Sequence, residues 1–330
     1  MSGGLARAIR GSSAAVSSGS ARADLVHAGG MCLVLIGWRA HPEYRLIVAA
    51  NRDEFYTRPT ESMRWWSERP GLLAGRDLGA PNGVPGTWLG LRPESRRFAT
   101  VTNVRGPAEG RIDARSRGAL LMDYLSGTST PEKFVRGTAA DADDYNGYNL
   151  VVSDLEALWW HSNRSAATPL ELRPGLHGLS NAALLGSAVA GSRTVEAVAE
   201  PPDPIANGTD AEAEPRWRVD TDTGAAAWPK VRDGLRDLHA VIGSPEVSDY
   251  FAVLADRAVA PDAELPQTGL PLERERSVSA RFVANDWHGT RCSTVLLVRE
   301  DGHFVMAERS FAAFGEPLGE VDYTGQLDMR

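Results

Sequence analysis

The chain has 330 residues, with 35 Lys and Arg against 43 Asp and Glu and a formal net charge of −8. That length buries a real core, as one large domain or two ordinary ones. The 42% hydrophobic and 24% charged composition argues against whole-chain disorder, and the acidic balance argues against a general nucleic-acid or membrane-surface binder.

Lys occurs only at 133 and 230, so Arg supplies nearly all of the positive charge. This resembles the coding bias of a GC-rich genome and carries no chemistry. Two cysteines, Cys32 and Cys292, are too few for a disulfide scaffold and lack the paired spacing of a zinc site. The histidines are scattered without an i,i+4 pair, so no metal site is expected. No apolar run is long enough to span a membrane. The reduced cytosol is the expected compartment.

Residues 1–30 are mostly Gly, Ser, Ala and Arg, with Asp24 as the single acid and no apolar secretory core. They read as a disordered extension or a mis-called start. Met31 stands directly before the strand-like run Cys32-Leu33-Val34-Leu35-Ile36. Three readings stay open: translation starts at Met31, the tail is retained, or a propeptide is removed. They differ in whether Cys32 ever carries a free α-amine.

Residues 32–38 and 44–50 predict a hairpin around Ala40-His41-Pro42-Glu43. A second strand pair, 87–92 and 97–103, flanks Pro93-Glu94-Ser95. Ser116 is placed to cap one helix, and Thr130-Pro131 opens another with Pro at its first position. Strands are predicted at 148–153, 156–161 and 169–173. Residues 186–224, rich in Ala, Gly, Pro, Asp and Glu, read as a surface insertion in a single domain over 31–330. Helices follow at 229–242 and 246–256, then strands at 278–284, 292–299 and 303–309. Glu300-Asp301-Gly302 joins the last two. Strands in adjacent hairpins point to antiparallel sheets with helices outside, not to a doubly wound parallel fold. Neither a G-x-G-x-x-G after a strand nor a P-loop is present.

The candidate chemistry starts at Cys32. A thiol titrating at about 8.5 needs a base or a positive charge beside it. If Met31 is the start and is removed, the α-amine of Cys32 is such a base; otherwise Cys32 is a buried strand residue. Asn51-Arg52-Asp53-Glu54 follows the second strand, and the hairpin places it near Cys32. Arg52 can lower the thiol pKa or hold a carboxylate, Asp53 can orient an ammonium group, and both can simply close a polar turn. Asn103 and Asn181 carry amides able to donate to an oxyanion, or they serve as turn and cap residues. Arg291 is an anion-binding candidate, Cys292 reads as an inward strand residue, and His177 as an idle loop residue. The Trp pairs 65–66 and 159–160 read as core, with at most one of each pair facing a ligand.

Together these residues resemble the NRDE family, also called the transport and Golgi organisation 2 (TANGO2) family, named for the tetrad found here at 51–54. The supporting segments are Met31-Cys32, Ala74-Gly75-Arg76-Asp77-Leu78, Gly86-Thr87-Trp88-Leu89-Gly90, Thr102-Asn103-Val104-Arg105, Tyr145-Asn146-Gly147-Tyr148-Asn149-Leu150, Gly178-Leu179-Ser180-Asn181, Trp228-Pro229-Lys230-Val231, Leu265-Pro266-Gln267-Thr268-Gly269 and Gly289-Thr290-Arg291. They cover 31–185 and 225–325 in order. The family normally begins at the Met-Cys, and residues 186–224 are an insertion relative to it.

The resemblance implies an α+β fold, a four-layer αββα sandwich of the N-terminal nucleophile hydrolase type. By likeness to cysteine members of that group, Cys32 is expected as nucleophile and base donor, with Arg52 and Asp53 flanking it. Asn103 and Asn181 are expected at the oxyanion site, with Arg291 as a late arginine. The spacing of Arg and Asp within the tetrad differs from that of the hydrolases, a departure that bears on the roles beyond Cys32. Family members are associated with haem trafficking and with acyl-CoA or lipid homeostasis, without an agreed reaction, and a shared fold does not fix chemistry.

Three functions follow: a Cys32-dependent hydrolase or acyl transferase acting on an amide or thioester; a non-enzymatic binder of haem or acyl-CoA; and an interaction module without a ligand. The first requires no cofactor, and haem enters only as a ligand. The expected partner is a small molecule (an amide, an acyl-CoA or haem), with no nucleic acid, no membrane span and an open oligomeric state.

Overall fold

In the computed structural model, which describes residues 32–80, 83–104, 110–111, 113–166, 168–181, 228–266 and 270–329, the first hairpin sets the frame. β1 (Cys32–His41) and β2 (Tyr44–Phe55) pair antiparallel, with Val34 opposite Ala50 and Ile36 opposite Val48. Successive side chains of a strand point to opposite faces. Val34, Ile36 and Trp38 therefore join one apolar cluster with Leu46, Val48 and Ala50, while Leu33 and Leu35 join another with Ile47 and Ala49. Burial on both faces accounts for the unbroken apolar run of β1. Each large side chain so buried contributes about 1.5–3 kcal/mol over leaving it in water.

β1 and β2 belong to a six-stranded antiparallel sheet, in the order β10 (Gly175–Leu179), β1, β2, β11 (His288–Arg299), β12 (His303–Phe311) and β13 (Pro317–Gln326). A seven-stranded antiparallel sheet follows chain order. Its strands are β3 (Thr60–Trp65), β4 (Leu73–Asp77), β5 (Leu89–Arg92), β6 (Arg97–Asn103), β7 (Tyr148–Ser153), β8 (Leu158–Ser162) and β9 (Leu170–Glu171). The cluster holding Val34 and Ile36 also takes Leu73, Leu91, Phe98 and Trp160, so the two sheets share one core.

Helices cover the outer faces. α1 (Arg117–Ser126) and α2 (Pro131–Ala140) bury Leu121, Tyr124 and Val135 against Ala99, Leu150 and Val152. α3 (Pro229–Val241) and α4 (Val247–Leu254) bury Leu235, Leu238 and Phe251 against the other sheet. Thr130 caps α2 by accepting from Lys133 N at 3.4 Å, with Pro131 at the first helical position. Gly178 lets α3 rest directly on β10: a Cβ there would lie 2.4 Å from Val231 Cγ1. The fold is thus α+β, two antiparallel sheets packed face to face with few helices.

The sheets also meet at a corner. The register of β3 against β4 shifts between Glu61 and Arg64, and the Met63 amide donates instead to buried Glu308 Oε1 of β12 at 2.7 Å. The hydroxyls of Ser62 and Ser310 meet at 2.9 Å beside it.

Several expectations are corrected. β2 does not stop at residue 50; it runs through the whole tetrad to Phe55, because His288, Gly289 and Thr290 of β11 pair with 53–55. His177 is not in an idle loop but in β10, buried, with Nε2 2.8 Å from the Arg173 carbonyl. Residues 278–283 are buried yet form no strand, and half-buried Ala284 makes only an isolated bridge to Gly289. Their amides go elsewhere: Phe282 N to Asp256 O, Val283 N to Thr290 Oγ1 at 3.0 Å. The helix α5 (Leu272–Ser277) precedes them. The strand at Cys32 is interior, though β2 and β11 occupy the middle of the sheet. Residues 1–30 and the insertion 186–224 lie outside the described residues.

Candidate functional site

Cys32 opens β1 beside the segment that follows β10. Its backbone nitrogen donates to Asn181 Oδ1 at 3.2 Å, and its carbonyl accepts from Ser180 Oγ at 2.9 Å. Asn181 Nδ2 donates in turn to the Asn103 carbonyl at 3.0 Å, at the end of β6. Asn181 therefore ties the start of β1 to the opposite sheet. Ser180 is held from that sheet as well: its carbonyl accepts from Thr102 Oγ1 at 2.9 Å and from Asn149 Nδ2 at 3.2 Å.

Across the sheet, Cys32 stands opposite Arg52, and Arg52 stands opposite Cys292. The strand alternation that buries Val48 and Ala50 between the sheets carries Arg52 to the same face. Arg52 Nη2 lies 3.1 Å from Asp77 Oδ2 and 3.7 Å from Glu54 Oε2. Its guanidinium sits 4.5 Å from the centre of the Trp88 ring. Trp88 packs closely against β4 because residue 75 is glycine: a Cβ there would be 2.3 Å from the indole. Asp77 also accepts from Arg58 Nε at 3.0 Å and from Gly79 N at 2.9 Å.

Asn51 and Asp53 point the other way. Asn51 Nδ2 donates to the Leu254 and Arg281 carbonyls at 2.9 and 2.7 Å, and its Oδ1 accepts from Ser293 Oγ at 2.6 Å, so it fastens α4 and the 278–284 segment to the sheet. Asp53 accepts from Thr290 Oγ1 at 2.6 Å. Its backbone still hydrogen-bonds the Cys32 thiol, and its charge is felt there.

Burial pushes the Cys32 thiol up to about 12, with the negative charge of Asp53 adding to it and Arg52 opposing. Cys292 is raised by burial and by Glu308. Burial works against the charge of Arg52, but Glu54 and Asp77 outweigh it, so its pKa lies above the usual arginine value. Arg291 is lowered, by burial first and then by the like charge of Arg52.

The structure brings Cys32, Arg52 and Asn181 together, with Asn103 joined through its main-chain carbonyl, while the Asp53 side chain lies on the opposite face of β2. Arg291 stands at its rim, at the register shift between Thr290 and Cys292. Its Nη1 donates to the Phe55 and Arg58 carbonyls, both at 2.9 Å, holding the turn that carries Arg58. Sequence reasoning assigned no role to Asp77, Trp88, Ser180 or Asn149. All four lie in segments quoted for the resemblance, and that was the one signal available for them. Among the described residues no group of three or more His, Cys, Asp or Glu is placed to hold a metal ion. No helix among them is long and apolar enough to cross a membrane.

The family described as Transport and Golgi organisation 2 matches residues 31–313. A Transport and Golgi organization protein 2 homolog of Bos taurus is 31% identical over 294 residues, covering 85% of this chain and 93% of its own length. The homolog of Homo sapiens is 28% identical over 291 residues with the same coverage. The Drosophila melanogaster Transport and Golgi organization protein 2 is 30% identical over 133 residues, 38% of this chain and 46% of its own. On the length of the family match, which takes in every residue of the network around Cys32, the chain belongs to the Transport and Golgi organisation 2 family.

Proposed function

We infer that the chain is a cysteine hydrolase or acyl transferase of the N-terminal nucleophile type, acting on an amide or thioester, with Cys32 as nucleophile. The observation that carries this reading is the setting of Cys32: first residue of an interior strand, nitrogen 3.2 Å from Asn181 Oδ1, opposite Arg52. Two stacked antiparallel sheets with helices outside support the fold type.

The thiol, pushed up to about 12, is protonated at neutral pH and needs a base. A free Cys32 α-amine, titrating at roughly 7.7–8.0, supplies one. Sγ bonds to the substrate carbonyl carbon as its proton passes to the amine, and the carbonyl π pair moves onto oxygen. On collapse the C–N or C–S bond breaks, the ammonium returns its proton to the leaving atom, and a Cys32 thioester remains. Water or an acceptor nucleophile then releases the acyl group and restores the thiol. Asn181 Oδ1 orients the nitrogen. Asn103 and Asn181 amides and Arg52 are the candidate stabilisers of the oxyanion, and Arg291 braces the turn beside Arg52.

The burial of Cys32 supports a second reading, a non-enzymatic binder of haem or acyl-CoA in which the sulfur is a pocket residue. One experiment separates them. Protein expressed from Met31 is checked by intact mass for removal of Met31, then incubated with an activated acyl amide. The first reading expects an acyl adduct on Cys32 and turnover, both lost in Cys32→Ser. Turnover retained in Cys32→Ser overturns it. Ligand binding without turnover in either protein supports the second.

A further inference from the structure

We propose that Thr102 and Asn149 are positioning residues for the Cys32 site, acting through Ser180; the inference rests on the reading of Cys32 as nucleophile. Their hydrogen bonds go to the Ser180 carbonyl. Both belong to the seven-stranded sheet, Thr102 to β6 and Asn149 to β7, where they are register partners. Both are buried, as is Ser180.

The bonds form a directed chain. Trp160 Nε1 donates to Asn149 Oδ1 at 3.3 Å, which fixes the amide so that Nδ2 points away. Nδ2 donates to Thr102 Oγ1 and to the Ser180 carbonyl, both at 3.2 Å. Thr102 Oγ1, accepting from Asn149, donates its own proton to that same carbonyl at 2.9 Å. The Ser180 carbonyl thus receives two donors from the opposite sheet, which locks the 180–181 peptide plane. From that locked peptide Ser180 Oγ reaches the Cys32 carbonyl at 2.9 Å and Asn181 Oδ1 reaches the Cys32 nitrogen at 3.2 Å.

The placement is informative. A purely packing core favours apolar residues, since each buried polar group must be matched. Here a matched polar set interrupts the inter-sheet core at the end where Cys32 stands, while Val151 and Trp160 beside it are apolar core. The nucleophile rides on one sheet and the group orienting its nitrogen is anchored to the other. Thr102 and Asn149 fix the distance between them.

The test uses protein expressed from Met31, with iodoacetamide as the probe and alkylation of the Cys32 peptide followed by mass spectrometry from pH 6 to 10. Thr102→Val is close to isosteric and removes one donor to Ser180. Asn149→Asp removes the other. Each is expected to slow Cys32 alkylation at neutral pH by about tenfold and to displace its pH profile, the scale of a small misplacement of a reacting group. Thr102→Ser, which keeps the hydroxyl, is expected to restore both. Thermal melts identify the folded fraction, and rates are compared on folded protein only. A lowered melting temperature with an unchanged Cys32 pH profile in both variants overturns the proposal and leaves a structural role. Alkylation needs no turnover. Hence Cys32→Ser retaining acyl-amide turnover overturns the nucleophile reading, whereas unaltered alkylation in Thr102→Val and Asn149→Asp overturns only the positioning role.

Discussion

Arg52 of the six-stranded sheet and Asp77 of the seven-stranded sheet are paired at 3.1 Å across the space between them. The arginine is buried and the carboxylate is about one-fifth exposed, so the pair is neither a surface bridge nor fully dry. Removing Asp77 leaves a buried cation with only Glu54, at 3.7 Å, to compensate it. Asp77→Ala is expected to cost about 2–3 kcal/mol in urea unfolding, less than a fully buried pair because Glu54 and partial exposure remain. Arg52→Met in the same background should recover part of that loss. An Asp77→Ala protein as stable as the parent would show that the pair carries no weight.

The Cys32 thiol gives a pH dependence with a defined sign. Its folded pKa, about 12, lies above the ordinary value of 9.0, so over that window the folded state holds a proton that the unfolded state has lost. The stabilisation is therefore complete below pH 9 and fades as pH rises toward 12, on the order of 1.4 kcal/mol per unit. Unfolding free energies of the parent and Cys32→Ser, measured between pH 8 and 11, should converge or cross, the parent falling more steeply. Parallel curves would contradict the burial of this thiol.

Cys292 is expected to behave differently from Cys32. Its thiol hydrogen-bonds buried Glu308, which also accepts from Met63 N at 2.7 Å and Thr294 Oγ1 at 3.1 Å. Cys292→Ser keeps a donor for that carboxylate and should leave both stability and Cys32 labelling near the parent level. Cys292→Val removes the donor and is expected to cost about 1–2 kcal/mol. Equal melting temperatures for the two variants would dismiss the bond as energetically silent.

Gly178→Ala tests the seating of α3. The added methyl meets Val231 Cγ1 at 2.4 Å and Leu235 Cδ1 at 3.1 Å, so overpacking of about 1–3 kcal/mol is expected. Combining it with Val231→Ala should relieve much of the strain, a coupling readable in a double-mutant cycle.

The two-sided apolar run of β1 made the fold class and the hairpin legible, and Thr130-Pro131 announced α2. β13 escaped detection because it is an edge strand whose residues Leu318, Glu320, Asp322 and Thr324 face water, leaving Val321 and Tyr323 as its whole apolar alternation against the core. Residues 278–284 look like a strand because burial, not pairing, governs their composition. Within the site, Cys32 and the tetrad were visible, but the opposite orientation of Arg52 and Asp53 depended on β2 continuing past residue 50. The Thr102–Asn149–Ser180 relay was invisible for a different reason. Its members are common polar residues whose meaning comes only from a register between two sheets.

The strand order also bears on how this protein can be made. β2 finds one partner at once in β1, but its other neighbour, β11, is joined through contacts such as Thr290 with Asp53, 237 positions later. Met63 waits still longer for Glu308, 245 positions on. During synthesis the β1–β2 hairpin therefore leaves the ribosome with an apolar face and an unpaired edge, long before the segments that cover them exist. Such long-range closure is slow and exposes sticky intermediates. A chain released early would hold Cys32 in an open hairpin without Arg291, Cys292 or the corner at Glu308. Completion of the last three strands thus acts as a checkpoint, and a protein lacking them should accumulate in chaperone complexes or inclusion bodies and not as a partly active fragment.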